Sequence, residues 1–113
     1  MGERAENMQT GQGWHRLCRL IDLSDDGSGQ AFELGSVYVA AFRVGQEVHV
    51  IADSCPHAGA SLSLGLLSHG EVTCPAHAMH FDLRTGCSSD GAGERVRVWQ
   101  TRIDQSGWIE VRQ

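Results

Sequence analysis

Positive charge is scarce in this chain of 113 residues: nine arginines and no lysine stand against fourteen acidic residues, for a formal net charge of -5. A phosphate-seeking protein needs a basic stripe, so nucleic acid is not the expected partner. Long apolar runs are missing too. Arg43, Glu47 and Asp53 interrupt the most hydrophobic region, and nothing approaches the roughly 20 apolar residues that span a bilayer, so no membrane partner is expected. The first thirteen residues, MGERAENMQTGQG, carry both charge signs and no apolar core, which matches neither a signal peptide nor a lipid anchor. The expectation is a flexible tail over residues 1–12 of a cytoplasmic protein.

Catalytic signatures are equally absent. No nucleotide-binding glycine fingerprint, 2-His-1-carboxylate triad or carboxylate pair is evident, so no catalytic residue is assigned and the chain reads as an electron-transfer component rather than an enzyme. Proline is down to two residues, Pro56 and Pro75, and each directly follows a cysteine. The four cysteines could form two disulfides, but a protein without an export signal sits where thiols stay reduced, which points to metal instead.

What is present is the grammar of an antiparallel β protein. With 41% hydrophobic and 20% charged residues, the composition is that of one globular domain over 1–113. Between Ala31 and Asp53 apolar residues recur near every second position, with Gly35 and Gly45 as punctuation. Val37, Val39 and Ala41 share one face, Val48 and Val50 repeat the period, and Gly45–Gln46 suits a hairpin turn. The last third continues in kind, with Val96, Val98 and Gln100 alternating against Arg95, Arg97 and Trp99 before a QSG turn and the closing segment WIEVRQ. The three tryptophans, 14, 99 and 108, fall at strand positions and read as packing. Cys18 reads as a small buried hydrophobe, and Cys87 as a partly exposed thiol.

The stretch from Ser54 to Phe81 breaks this rhythm. It holds both prolines, four of the six histidines and two of the four cysteines. Cys55-Pro56-His57 is a C-x-H, Cys74-Pro75-Ala76-His77 is a C-x-x-H, and sixteen positions separate them. Each motif brings one thiolate and one imidazole to a common point, and each proline fixes backbone φ directly after its cysteine. Zinc accepts the same four donors. Zinc fingers, however, pair cysteine with cysteine and histidine with histidine along the chain, whereas here each cysteine is partnered with a histidine in its own loop. A binuclear iron cluster, with two thiolates on one iron and two imidazoles on the other, suits that arrangement.

The two motifs and their spacer resemble the Rieske family, and the run CPHAGASLSLGLL…GEVTCPAHAMHFDLRTG, Cys55 to Gly86, is similar to the stand-alone ferredoxins of bacterial oxygenase systems. The resemblance implies an all-β Rieske fold: an antiparallel three-sheet base and an inserted lobe over about 54–82 that holds one [2Fe-2S] cluster. It implies Cys55 and Cys74 on the inner iron and His57 and His77 on the outer one. It further implies a monomeric one-electron carrier between a flavin-dependent reductase and a terminal oxygenase. The chain is also similar to the small subunits of nitrite reductases, which implies, as the alternative, a permanent subunit of a larger reductase.

Against the high-potential members, Ala60 and Ala76 stand where a disulfide would link the loops, and Met79 and Phe81 where serine and tyrosine would donate hydrogen bonds to sulfur. Such donors stabilise the reduced state, so their absence places the expected potential at the low end of the Rieske range, around ~ -150 mV.

Overall fold

The computed structural model describes residues 13–56, 59–76, 79–89 and 93–112. Among the described residues nine strands run β1 (His15–Arg19), β2 (Gln30–Leu34), β3 (Val37–Val44), β4 (Glu47–Ala52), β5 (Leu66–Ser68), β6 (Glu71–Thr73), β7 (His80–Asp82), β8 (Val98–Ile103) and β9 (Trp108–Arg112). Among the described residues the only helical pieces are two 3-10 turns, Leu20–Asp22 and Leu62–Leu64. The proposed tail, residues 1–12, lies outside the described residues.

Every strand pairing is antiparallel. Six strands form one ladder in the order β1-β9-β8-β4-β3-β2, and β5-β6-β7 form a second, smaller sheet inserted between β4 and β8. The large ladder has two halves that share β8: Val98 and Trp99 pair with β4, while Gln100 to Ile103 pair with β9. This change of partner explains one departure from the sequence pattern. Val96 and Val98 do face apolar neighbours, but Gln100, beyond the switch, is exposed, and Trp99 on the opposite face is buried.

The β3–β4 hairpin is the centre of the molecule, and it turns at Gly45–Gln46 as its sequence implies. Gly45 takes φ +63°, the left-handed conformation that a two-residue hairpin turn favours. Its odd-numbered β3 residues, Val39 and Ala41, pack with Val48, Val50, Cys18, Leu23, Trp99, Ile109 and Val111. Its even-numbered residues, Ala40 and Phe42, pack with Ile51 and with Leu62, Val72, Phe81, Leu83 and Val96 of the segment that follows. The hairpin is therefore buried on both faces, and one of them is roofed by the small sheet. Gly65 fits this roof against β6 because there is no room for more: a Cβ there would lie 2.1 Å from the Thr73 carbonyl oxygen.

Glu110 lies on the face of β9 opposite the buried Ile109 and Val111. Glu110, only 4% exposed, is held there by Arg102, whose Nε lies 2.6 Å from Oε1, and by Arg16 at 3.8 Å. The two arginines in turn lie over tryptophan rings, Arg102 at 4.2 Å from the Trp14 centroid and Arg16 at 4.8 Å from that of Trp108. Guanidinium planes on aromatic faces thus cover what an apolar layer would otherwise cover. Trp14 and Trp99 are buried, which bears out their reading as packing.

Cys18 is buried in the inner core, and burial, with a smaller contribution from the charge of Asp22, pushes its thiol up to about 11. In the unfolded chain the thiol ionises near its ordinary value of about 8.5. The folded state therefore holds the proton more tightly. Its stabilising contribution is fully present below about pH 8.5 and is lost as pH rises through about 11. Chemical unfolding from about pH 8 to about pH 11 is expected to show the wild type losing on the order of 2 kcal/mol more than Cys18→Ala. Parallel stability curves for the two proteins would contradict this.

Candidate metal centre

Two loops of the same build lie at the end of the small sheet. After β4, Ser54 and Ser61 bridge in antiparallel fashion, and inside that bridge the Cys55 N–H donates to the Ala60 carbonyl at 2.9 Å. At the end of β6, Thr73 pairs with His80, and inside that pair the Cys74 N–H donates to the Met79 carbonyl at 2.8 Å. Each cysteine thus opens a six-residue loop, 55–60 and 74–79, and its own amide closes it. Gly59, at φ +68°, returns the first loop and donates its N–H to the Cys55 carbonyl at 2.9 Å.

Both cysteines are 1% exposed, and both belong to the cluster formed by Leu62, Val72 and Phe81, with Ala60 and Met79 packed against it. No disulfide joins any of the four cysteines. His57 and His77, the third residue of the first loop and the fourth of the second, lie outside the described residues, as do Ala58 and Ala78. Among the described residues no three side chains of metal-binding type come together. The remaining histidines are spread out: His15 and His69 are exposed, His49 stands beside Glu47 at 3.4 Å, and His80 is half-buried on β7.

A pair of buried thiols, one from each of two matching loops, fits a group that takes two thiolates on its inner side. The loop closures leave the backbone amides of both cysteines already bonded, which ties each cysteine to the far end of its loop. Met79, half-buried against the same cluster, and Phe81, wholly buried within it, fill the region with apolar bulk and offer no hydroxyl.

Asp53 is the residue that sequence reasoning passed over, taking it only as an interruption of an apolar run. Its side chain is buried, and its Oδ1 accepts the N–H of Ser63 at 2.8 Å. Its backbone N–H donates to Tyr38 at 3.0 Å, and its carbonyl accepts from Leu62 at 2.6 Å. Two residues before Cys55, it therefore ties the start of the first loop to β3 on one side and to the Leu62–Leu64 turn on the other. The legible signal was a carboxylate two residues before a metal motif. Asp82, at the end of β7, closes the following turn, its Oδ1 accepting the Arg84 N–H at 2.7 Å and the Thr85 N–H at 3.2 Å.

The match to known proteins is consistent with this geometry. Residues 13–100 match the family model described as the Rieske [2Fe-2S] domain. The chain belongs to the Rieske family, whose cofactor is a [2Fe-2S] cluster. It is 36% identical over 99 residues to the anthranilate 1,2-dioxygenase ferredoxin subunit of Burkholderia cepacia, covering 87% of this chain and 90% of that one. Among solved structures it is similar to the ferredoxin of carbazole 1,9a-dioxygenase from Nocardioides aromaticivorans IC177, with TM-score 0.82, 30% identity, and 89% and 98% of the two chains covered. A chain from a complex of reduced oxygenase and oxidised ferredoxin in carbazole 1,9a-dioxygenase superposes with TM-score 0.78, 27% identity and 90% and 94% coverage. A protein assigned as the NADH-dependent nitrite reductase small subunit of Mycobacterium tuberculosis follows with TM-score 0.80, 28% identity and 88% and 94% coverage.

Removing the Asp53 carboxylate leaves the buried Ser63 N–H without its acceptor, a loss of about 1–3 kcal/mol. Thermal unfolding of the cluster-loaded protein is expected to show Asp53→Ala destabilised by that amount, with Asp53→Asn, which keeps a carbonyl oxygen at the same place, recovering most of it. An Asp53→Ala protein as stable as wild type would remove Asp53 from its anchoring role.

Proposed function

We propose that Cys55 and Cys74 hold one iron and His57 and His77 the other iron of a [2Fe-2S] cluster, and that the chain is a one-electron carrier passing electrons from a flavin-dependent reductase to a terminal oxygenase. The observation that carries this reading is the matched pair of loops, each closed by the amide of a buried cysteine and each with a histidine two or three positions on.

When bound, the cluster supplies reversible one-electron chemistry. The two cysteines, both 1% exposed, would hold its inner side away from water. The histidine of each loop, beyond a surface proline, would provide the outer donor and the route by which an electron leaves. Each imidazole would bind through one ring nitrogen and keep the other for a proton. The apolar Met79 and Phe81 supply no hydrogen bond to sulfur, which favours a low potential.

The similarity to a dioxygenase ferredoxin over 90% of that protein's length supports a carrier made of one Rieske domain, with residues of about 54–82 as the cluster-binding lobe. No helix among the described residues is long and apolar enough to cross a membrane, and four cysteines without a disulfide suit a cytoplasmic setting. A permanent small subunit of a reductase is the second reading, favoured by the similarity to the nitrite reductase small subunit.

The two readings part on complex lifetime. In gel filtration with a candidate reductase and a candidate terminal oxygenase, the cluster-loaded chain is expected to elute as a monomer apart from both, while the reduced chain is reoxidised by the oxygenase on mixing. A stoichiometric complex with a reductase that survives the column, together with no oxygenase turnover, would establish the subunit reading instead.

A further inference from the structure

Among the described residues two carboxylates are buried, Asp53 at 6% exposure and Glu110 at 4%. Their surroundings differ. Glu110 is neutralised by two guanidinium groups, Arg102 at 2.6 Å and Arg16 at 3.8 Å. Among the described residues no cationic side chain pairs with Asp53. Its carboxylate accepts instead from a neutral donor, the N–H of the buried Ser63, at 2.8 Å. A buried charge without a counter-charge is costly. Anchoring the Leu62–Leu64 turn does not require it, because an asparagine oxygen would accept the same N–H with no charge to desolvate.

The unpaired carboxylate stands beside the metal centre. Two residues of chain span at most about 7 Å, so the Cα atoms of Asp53 and Cys55 lie within that distance. The Asp53 carbonyl accepts from Leu62, which shares a core cluster with Cys55 and Cys74. Formal charge is otherwise sparse here. Across the 28 positions from Ser54 to Phe81 the only Asp, Glu, Lys or Arg is Glu71. Buried among apolar side chains, the charge of Asp53 is weakly screened by water and salt.

We infer that Asp53 tunes the redox potential: its negative charge, held without a counter-charge next to Cys55, opposes the negative charge that reduction adds and so lowers the midpoint potential of the cluster. Iron–sulfur potentials respond to net charge as well as to hydrogen bonds and solvent exposure. The inference rests on the reading that Cys55 holds the cluster. It adds an electrostatic cause of low potential to the lack of hydroxyl donors at Met79 and Phe81.

The test is a spectroelectrochemical titration of the cluster-loaded full chain in neutral buffer, as wild type, Asp53→Asn, Asp53→Ala and Glu33→Gln. Glu33, exposed on β2, is the surface control. Asp53→Asn is expected to favour reduction at least about fivefold, a rise of about 40 mV at about 59 mV per tenfold for one electron. Asp53→Ala is expected to do the same, and Glu33→Gln to shift the equilibrium less than about twofold. The Asn shift is expected to persist when sodium chloride rises from about 0.1 M to about 1 M, which shortens the Debye length from about 10 Å to about 3 Å. Asparagine keeps the acceptor for Ser63, so a rise shared by both Asp53 variants follows the charge. A rise in Asp53→Ala alone would follow the lost hydrogen bond and overturn the proposal. An Asn shift below fivefold, or one that the high salt removes, or one that Glu33→Gln equals, overturns it too. Where Asp53→Ala holds no cluster, the Asn comparison decides alone. A wild type without a one-electron couple would overturn the ligand reading and this inference with it, whereas a wild-type couple that Asp53→Asn leaves in place overturns the inference alone.

Discussion

Val39, Ala40, Ala41 and Phe42 are fully buried in succession, so the central strand must meet apolar partners on both of its faces. One face is met by the other half of the ladder, through Ile109 and Val111, beside Val48 and Val50 of the neighbouring β4. The other can be met only by the segment inserted between β4 and β8, and that requirement draws Leu62, Val72, Phe81 and Leu83 down onto the hairpin. Cys55 and Cys74 belong to this same second core. The two cysteines are consequently held by the packing that stabilises the fold.

Much of this was legible in the sequence, and the parts that were not share a cause. The β3–β4 hairpin, its turn at Gly45, the insertion after β4 and the two cysteine motifs all rest on neighbours close in sequence, where period, glycine and motif spacing speak directly. The role of Asp53 depends on Ser63, and the burial of Glu110 depends on Arg16 and Arg102, partners brought in by the fold. Gln100 was placed with Val96 and Val98 because alternation assumes one pairing partner throughout, whereas β8 changes partner after Trp99. The two-sided burial of β3 was visible only as an apolar run, and alternation alone recorded half of it.

The polar chemistry of the molecule is sorted by position. On the outer face of the large ladder, arginine, glutamate and tryptophan are layered so that charge covers apolar rings and is itself paired. The segment that carries the cysteines is nearly free of formal charge and shows leucine and proline to solvent.

The central claim is mixed ligation, two thiolates and two imidazoles on one binuclear centre. Electron paramagnetic resonance of the dithionite-reduced protein tests it most directly, because the average g value reports the ligand set. The account predicts an average g clearly below that of all-cysteine [2Fe-2S] ferredoxins, with the signal lost or converted in His57→Cys and His77→Cys. An average g equal to the all-cysteine value, or a colourless protein holding stoichiometric zinc, would contradict it.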